Sequence, residues 1–336
     1  MPRQSVSIVV PTYNRAHLIG RALRSALGQC GRDDEIIVVD DASSDGTEGV
    51  VAGFPGVRYE RIGHGGAGRA RNTGIALARH PLVGFLDSDD EFVPGTLECK
   101  RALMSARPDL VFCFSNFSGQ PADGPLESGC LFYWSRDTRD WADILVPGTP
   151  LSRLVPHACA SDPLVHIGSI YRAEMAHSYI AANTVIVNRA LAGDALRFPE
   201  DLPTYEDWEC FGRVARRGPC AYVAFDSAIQ HSHGGPRLTD AATEIQVRTR
   251  LTLLERVWGG DADFLAAHAS EYGRVCAEQR LVGAKVLLLA GRQAEARAWL
   301  REVPGGPVWA RLARHVPIPD LALKAWIAAR RRARRD

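Results

Sequence analysis

The sequence lacks any apolar run of the roughly 18–20 residues that a helix needs to cross a membrane. Its longest candidate, Leu281 to Ala290, already carries Lys285. No secretory leader is evident either: the apolar run Val6 to Val10 is short and has no small-residue cleavage site behind it. None of the 8 cysteines forms a C-x-x-C pair, which argues against a zinc site or a disulfide framework and for reduced thiols in a cytosolic protein. Lysine is nearly absent, with 3 residues against 37 arginines, and no mechanism follows from that bias. Net charge is scarce too, at +1 over 336 residues. With 46% apolar and 24% charged residues the chain is neither disordered nor fibrous, and its length suggests about two domains.

The small net charge hides an asymmetry. Residues 1–240 carry a net −6 and residues 241–336 a net +7. An acidic body joined to a basic tail suggests two segments with different partners.

What is present is an alternation of strand and helix signals over the first 120 residues. Strands are expected at Val6–Val10, Glu35–Val39, Val57–Ile62, Leu82–Leu86 and Leu110–Phe114. Helices are expected over Leu18–Leu27, Gly66–Arg79 and near Pro94–Ala106. Such alternation predicts an α/β fold, a largely parallel sheet flanked by helices. Residues 119–166 lose periodicity and read as a long functional loop region or an insertion with short irregular elements. Regular signals return at Ala182–Asn188 (strand), Glu206–Arg217 (helix) and Ala221–Phe225 (strand). From about Thr239 only helical patterns remain, with Gly291 breaking one antiparallel pair. The expected domains are 1–238 and a helical extension at 239–336.

In an open parallel sheet, ligands bind beyond the carboxyl ends of the strands. Four expected exits carry Pro11-Thr12-Tyr13-Asn14-Arg15, Asp40-Asp41, Gly63-His64-Gly65-Gly66 and Asp87-Ser88-Asp89-Asp90. Each also has a plain structural reading as a turn or helix cap. Asp87 and Asp89 are the hardest to dismiss. Clustered carboxylates repel unless a cation or basic groups compensate, and residues i and i+2 of an extended segment share a side. Mg²⁺ or Mn²⁺ prefers such oxygen donors. The run Gly63 to Gly68 matches the dinucleotide pattern G-x-G-x-x-G, but it follows the third strand rather than the first. A helix N-terminus there can still receive phosphate, helped by Arg69 and Arg71.

Taken in order, these motifs resemble glycosyltransferase family 2 with the GT-A fold. The matching segments are Val9–Arg15, Val39–Thr47, Gly68–Gly74, Leu86–Asp90 and Tyr205–Glu209, and the resemblance covers roughly residues 4–235. It implies a mixed, mostly parallel sheet, a nucleotide-diphosphate-sugar donor, often UDP-linked, and inversion at the anomeric carbon. It implies that Pro11, Thr12, Tyr13 and Asp41 line the nucleoside pocket. Arg71 and Asn72 would lie near the donor, with Arg71 on base or phosphate. Asp87 would face the ribose and metal, Ser88 would contact the nucleotide sugar, and Asp89 would be the main ligand of Mn²⁺ or Mg²⁺. Asp207 would be the catalytic base, flanked by Glu206 and Trp208 on the acceptor side. Asp207 also fits a helix first turn, where acids are favoured. His233, with His231 nearby, is a further candidate metal ligand in a region where related enzymes place a histidine, although the arginine that commonly precedes it is replaced by Gln230. Arg237 is a candidate phosphate contact.

Residues 119–182 are expected to build the acceptor side, for a glycan, glycolipid or small molecule. Trp134, Trp141, Tyr171, Tyr179 and Trp208 are candidates to stack on a sugar, most of them expected to be core. The Arg-rich end, Arg330 to Arg335, has two readings: a peripheral anchor to anionic lipid at the inner membrane face, or a solvated helix end. One short basic run without aromatics argues against nucleic acid. Two rival functions are a sugar-phosphate nucleotidyltransferase, which Pro11–Arg15 does not resemble, and a non-catalytic binding module, against which Asp87, Asp89 and Asp207 argue. Oligomeric state is not legible.

Overall fold

The computed structural model describes residues 4–135, 137–235 and 241–315. Arg237 and the Arg330–Arg335 run therefore lie outside the described residues. The described residues divide into two compact units, one formed by those up to Asp201 and by Glu206–Gly235, the other by Leu202–Tyr205 and those from 241 to 315.

In the first unit the order is β1 (Val6–Thr12), α1 (Ile19–Leu27), β2 (Glu35–Asp40), α2 (Thr47–Ala52), β3 (Val57–Arg61), α3 (Gly66–Leu77), β4 (Leu82–Phe85), β5 (Glu91–Phe92), α4 (Thr96–Ala106) and β6 (Phe112–Gln120). There follow α5 (Cys130–Ser135), α6 (Trp141–Ile144), β7 (Thr149–Pro150), α7 (Leu151–Leu154), β8 (Leu164–Gly168), α8 (Tyr171–Ala176), β9 (Ile186–Asn188), α9 (Arg189–Ala192), α10 (Glu206–Ala215) and β10 (Cys220–His231). The strands form one sheet in the order β3-β2-β1-β4-β9-β6-β10-β8-β7, with β5 paired to β10. Strands β1 to β4 run parallel, β9 runs against β4 and β6, and β10 runs parallel to β6. Mixed and mostly parallel is the expected class.

Both sheet faces are covered, so β1 and β2 read as continuous apolar runs. Val9, Ile37 and Val39 enter one buried cluster with Phe85, Phe198 and Phe211. Ile8, Val10, Ile36 and Val38 enter the other, with Leu23 and Leu103. Helix α3 lies close on β1 because residue 74 is glycine; a Cβ there would stand 2.2 Å from Val9 Cγ1. Gly68 in the same helix likewise admits the Pro199 carbonyl, which a Cβ would meet at 2.5 Å.

Of the two readings of the aperiodic region the insertion of short elements holds, residues 119–182 carrying four short helices and two strands that extend the sheet. Two expectations change. Ala182–Thr184 is a 3₁₀ turn, and only Ile186–Asn188 pairs as strand. The thiols are not all reduced. Cys99 and Cys159, 60 residues apart in sequence, have Cα atoms 5.2 Å apart and are joined as a disulfide, while six cysteines are free. The pair escaped notice because spacing carries no signal for a bridge made by tertiary folding. Thiol titration of the denatured chain is expected to count 6 thiols before reduction and 8 after. Eight before reduction would show the pair to be open.

The second unit, in its described residues, holds α11 (Thr243–Leu254), a π-helical turn at Glu255–Gly259, α12 (Ala262–Leu289), α13 (Gln293–Arg301) and α14 (Val308–His315). Gly291, at φ 75°, separates α12 from α13. Ala284, Leu287, Leu288, Ala296 and Leu300 form their shared core. No helix among the described residues is long and apolar enough to cross a membrane.

Candidate active site

The carboxyl ends of β1, β2, β3, β4, β6 and β10 open on one rim. The strand order reverses direction between β1 and β4, the crevice where open α/β sheets bind ligands. Pro11 and Thr12 are the last residues of β1, in register with Val39 and Asp40. Both are buried, and Thr12 Oγ1 has no hydrogen-bond partner among the described residues. Tyr13 emerges beyond them, 45% exposed. The two loops that follow are fastened together. Asn14 N–H donates to Ser43 Oγ (2.8 Å), Ser44 N–H to Asn14 Oδ1 (2.8 Å), and Ala16 N–H to Asp45 Oδ2 (3.0 Å). The Ser/Asp run after β2 is thus a loop clasp.

Asp40 and Asp41 differ in role. Asp40 is fully buried and accepts Ser43 N–H (2.6 Å) and Tyr59 O–H (2.7 Å). Asp41 accepts Gly65 N–H on Oδ1 (2.7 Å) and Gly66 N–H on Oδ2 (2.8 Å). The glycine-rich loop therefore gives its Gly65 and Gly66 amides to this carboxylate.

Arg71 is 5% exposed and joins two carboxylates that are distant in sequence. It donates to Asp87 Oδ1 at 2.8 Å and to Glu206 Oε1 at 2.7 Å, with its guanidinium over Phe198, 5.2 Å from the ring centroid. These partners hold it firmly protonated despite burial. Burial raises Asp87 above the usual carboxylate range; Arg71 opposes the shift and Asp89 adds to it. The Asn72 amide brackets Phe198, donating to its carbonyl and accepting its N–H, both at 2.8 Å. Arg71 and Asn72 thus occupy themselves with this chain's own groups.

Beyond β4, Ser88 is buried and Asp89 is partly open. Asp89 Oδ2 meets His233 Nε2 at 2.8 Å. Gly235 N–H donates to His233 Nδ1 at 3.1 Å, so the ring proton sits on Nε2 and points at Asp89. In that tautomer His233 orients Asp89. His231 Nε2 lies 2.8 Å from Glu91 instead. Asp90 is buried against Asn183 and the His231 N–H, and burial lifts it well above a normal carboxylate.

Tyr205, at φ 62°, turns the chain into α10, whose first residues are Glu206, Asp207 and Trp208. Positive φ in a bulky residue is uncommon and collects at functional sites. Asp207 Oδ1 accepts the Trp208 N–H at 2.8 Å; its Oδ2 has no hydrogen bond among the described residues. Burial, followed by the charge of Glu206, pushes Asp207 up to about 7, with Arg71 opposing. Trp208 is turned inward, its indole donating to the Glu174 carbonyl at 2.7 Å.

Of the candidate stacking residues, Trp141 and Tyr179 are core, Tyr171 is partly buried, and Trp134 is 49% exposed. Sequence reasoning missed Glu174, a fully buried acid that burial lifts well above its ordinary value and that accepts the Tyr179 N–H. A lone glutamate in a six-residue helix gives no periodic signal.

Residues 7–136 match the model of Glycosyl transferase family 2. Succinoglycan biosynthesis protein ExoO of Rhizobium meliloti is 30% identical over 231 residues, 65% of this chain and 60% of that protein. The UDP-Glc:alpha-D-GlcNAc-diphosphoundecaprenol beta-1,3-glucosyltransferase WfgD of Escherichia coli is 35% identical over 115 residues, 33% of this chain and 45% of that one. The chain thus spans about half the length of the curated relatives it matches. Among solved structures, S. aureus TarS 1-349 in complex with UDP-GlcNAc shares the fold, with a TM-score of 0.59 at 19% identity over 89% of this chain and 82% of that one. Over residues 7–136 the chain is thus similar to glycosyltransferase family 2, on a fold of GT-A architecture shared with TarS.

Proposed function

We propose that this protein moves a glycosyl group from a nucleoside-diphosphate sugar, a UDP-sugar in the first instance, to an acceptor hydroxyl with inversion. The observation that carries the reading is the set of groups on one rim: an open aromatic at Tyr13, carboxylates at Asp87 and Asp89, and Asp207, whose Oδ2 has no hydrogen bond among the described residues and whose pKa is raised to about 7. The acceptor oxygen bonds to the anomeric carbon as the bond to the diphosphate oxygen breaks. The acceptor proton passes to Asp207. One positioned base suffices for this chemistry, whereas glycoside hydrolysis requires a flanking pair.

A divalent cation fits the carboxylates. Asp87 keeps Oδ2 clear of Arg71, and Asp89 keeps Oδ1 clear of His233. Among the described residues no three His, Cys, Asp or Glu side chains converge on one point. That suits Mg²⁺ or Mn²⁺, which takes one or two carboxylates and completes its shell with water and phosphate. Bound there, such an ion would supply charge neutralisation for the departing diphosphate. In this reading residues 1–238 are the catalytic domain and 239–336 an extension. The acceptor is a glycan, glycolipid or small molecule, in keeping with relatives that build bacterial polysaccharide and glycolipid. The site of action is the cytoplasm or the inner membrane face.

The test is a donor screen with UDP-, GDP- and dTDP-sugars plus Mn²⁺. Release of the nucleoside diphosphate is expected with Mn²⁺. It should fall at least about 100-fold with EDTA or in Asp89→Asn, since charge stabilisation of this kind is worth several kcal/mol. Absence of both hydrolysis and metal-dependent nucleotide binding would overturn the reading.

A further inference from the structure

A cavity of about 570 Å³ opens at the end of the sheet away from the rim. Helix α3 runs from one to the other. Its first residue, Gly66, donates to Asp41 at the rim, while Ile75 near its end lines the cavity. Its 12 residues, at 1.5 Å each, place the two ends about 18 Å apart. Arg79, His80 and Pro81, just before β4, continue the lining, and Arg189 and Leu196 close the other side. Among the described residues no acidic side chain lines the cavity, although residues 1–240 are net −6. The acids nearby are committed. Glu35 Oε1 accepts the Ser7 hydroxyl at 2.6 Å and the Arg79 N–H at 2.7 Å, with His80 Nε2 3.9 Å away. Asp194 is paired with Arg217. The carbonyls at the end of α3 would repel an anion, but they are covered. Arg58 donates to that of Leu77 at 3.2 Å, and Arg189 Nη1 to those of Ala78 (2.6 Å) and His80 (3.2 Å). Arg189 keeps Nε and Nη2 without a partner among the described residues, and the exposed Arg79 guanidinium has no partner there at all. Capping a helix end accounts for Arg189 Nη1, but for neither the cavity nor Arg79.

We propose that this cavity binds an organic phosphate, with the phosphate on Arg79 and Arg189 and the apolar part against Ile75, Pro81 and Leu196. Guanidinium forks match phosphate oxygens, and an apolar wall with a few convergent polar groups is the usual make-up of a small-molecule site. The site is separate from the catalytic rim and does not depend on the donor reading. A soluble phosphate ester and the headgroup of an anionic lipid present the same chemistry to it.

The experiment is isothermal titration of the full chain, in EDTA, with n-octyl phosphate, n-octanol and inorganic phosphate. n-Octyl phosphate should bind at least about tenfold more tightly than either fragment, because only it fills the apolar wall and the arginine pair together. Arg79→Glu and Ala190→Glu change exposed lining positions and should each weaken it by at least about tenfold at an unchanged melting temperature. Asp89→Asn, on the rim, should leave the affinity as it is. Flotation on phosphatidylcholine vesicles with and without phosphatidic acid separates the two sources. Uptake that requires phosphatidic acid and is lost in Arg79→Glu supports the site as one for a lipid headgroup; titration binding without uptake supports it as one for a soluble ester. No saturable binding of n-octyl phosphate, binding no tighter than that of inorganic phosphate, or binding that both lining variants leave intact would overturn the proposal. Loss of binding in Asp89→Asn would overturn it as well, by placing the ligand on the rim.

Discussion

Asp207→Asn is expected to fold as wild type and to lose transfer by about three orders of magnitude, the range of a positioned general base. The amide is isosteric and keeps an oxygen to accept the Trp208 N–H, so the first turn of α10 retains its local bond. What disappears is the basic oxygen that has no hydrogen bond among the described residues. The same carboxyl predicts a pH profile. Its pKa of about 7 comes from burial and from Glu206, and the reaction needs the ionised form. Wild-type kcat/KM should therefore rise with pH through about 7 and level off above it, a limb that the residual activity of the variant lacks. The stability sign follows from the same shift. An unfolded aspartate ionises near pH 4, while the folded one stays neutral to about 7. The wild-type fold thus loses stability as pH rises across that window. The variant carries no such penalty and should melt at or above the wild-type temperature at pH 8. Near-wild-type turnover in Asp207→Asn would remove the residue from the mechanism.

The parts of this site legible in sequence are those set by short-range chemistry. The apolar runs of β1, β2 and β4 end in Pro11-Thr12, Asp40-Asp41 and Asp87–Asp90, and a parallel sheet sends all these ends to one rim. Residues 119–182 were illegible because their elements are too brief for a period to register. Helices α6 and α7 have four residues each and β7 has two. Such elements exist through tertiary partners, as β8 does by pairing with β10. Partnerships between distant residues left no trace either. Arg71 and Glu206 are 135 positions apart, and Asp89 and His233 are 144 apart. Sequence could place Arg71 and His233 near a donor and a metal by resemblance, but not show that each already holds a carboxylate.

That difference makes Arg71→Met the sharpest test of how the site is built. The substitution is expected to cost about 3–5 kcal/mol of stability, the usual result of removing one partner from a buried ion pair. Glu206, 6% exposed, would be left in the interior without its ion-pair partner, and Asp87 would lose the group that lowers its pKa. In a unit of this size that is a fall in melting temperature of roughly 10 °C. Adding Glu206→Gln should restore part of the loss, because the unpaired charge, rather than the missing contact, dominates the cost. Donor affinity should suffer as a consequence, since Asp87 and the start of α10 are both held by this guanidinium. If Arg71 acted instead by touching the base or phosphate, Arg71→Met would weaken UDP binding at an unchanged melting temperature, and Glu206→Gln would bring no recovery. Thermal melts and UDP titrations on the single and double variants separate the two. A buried cation that assembles the donor carboxylates and the base segment predicts loss of both together, with stability and affinity recovering in step.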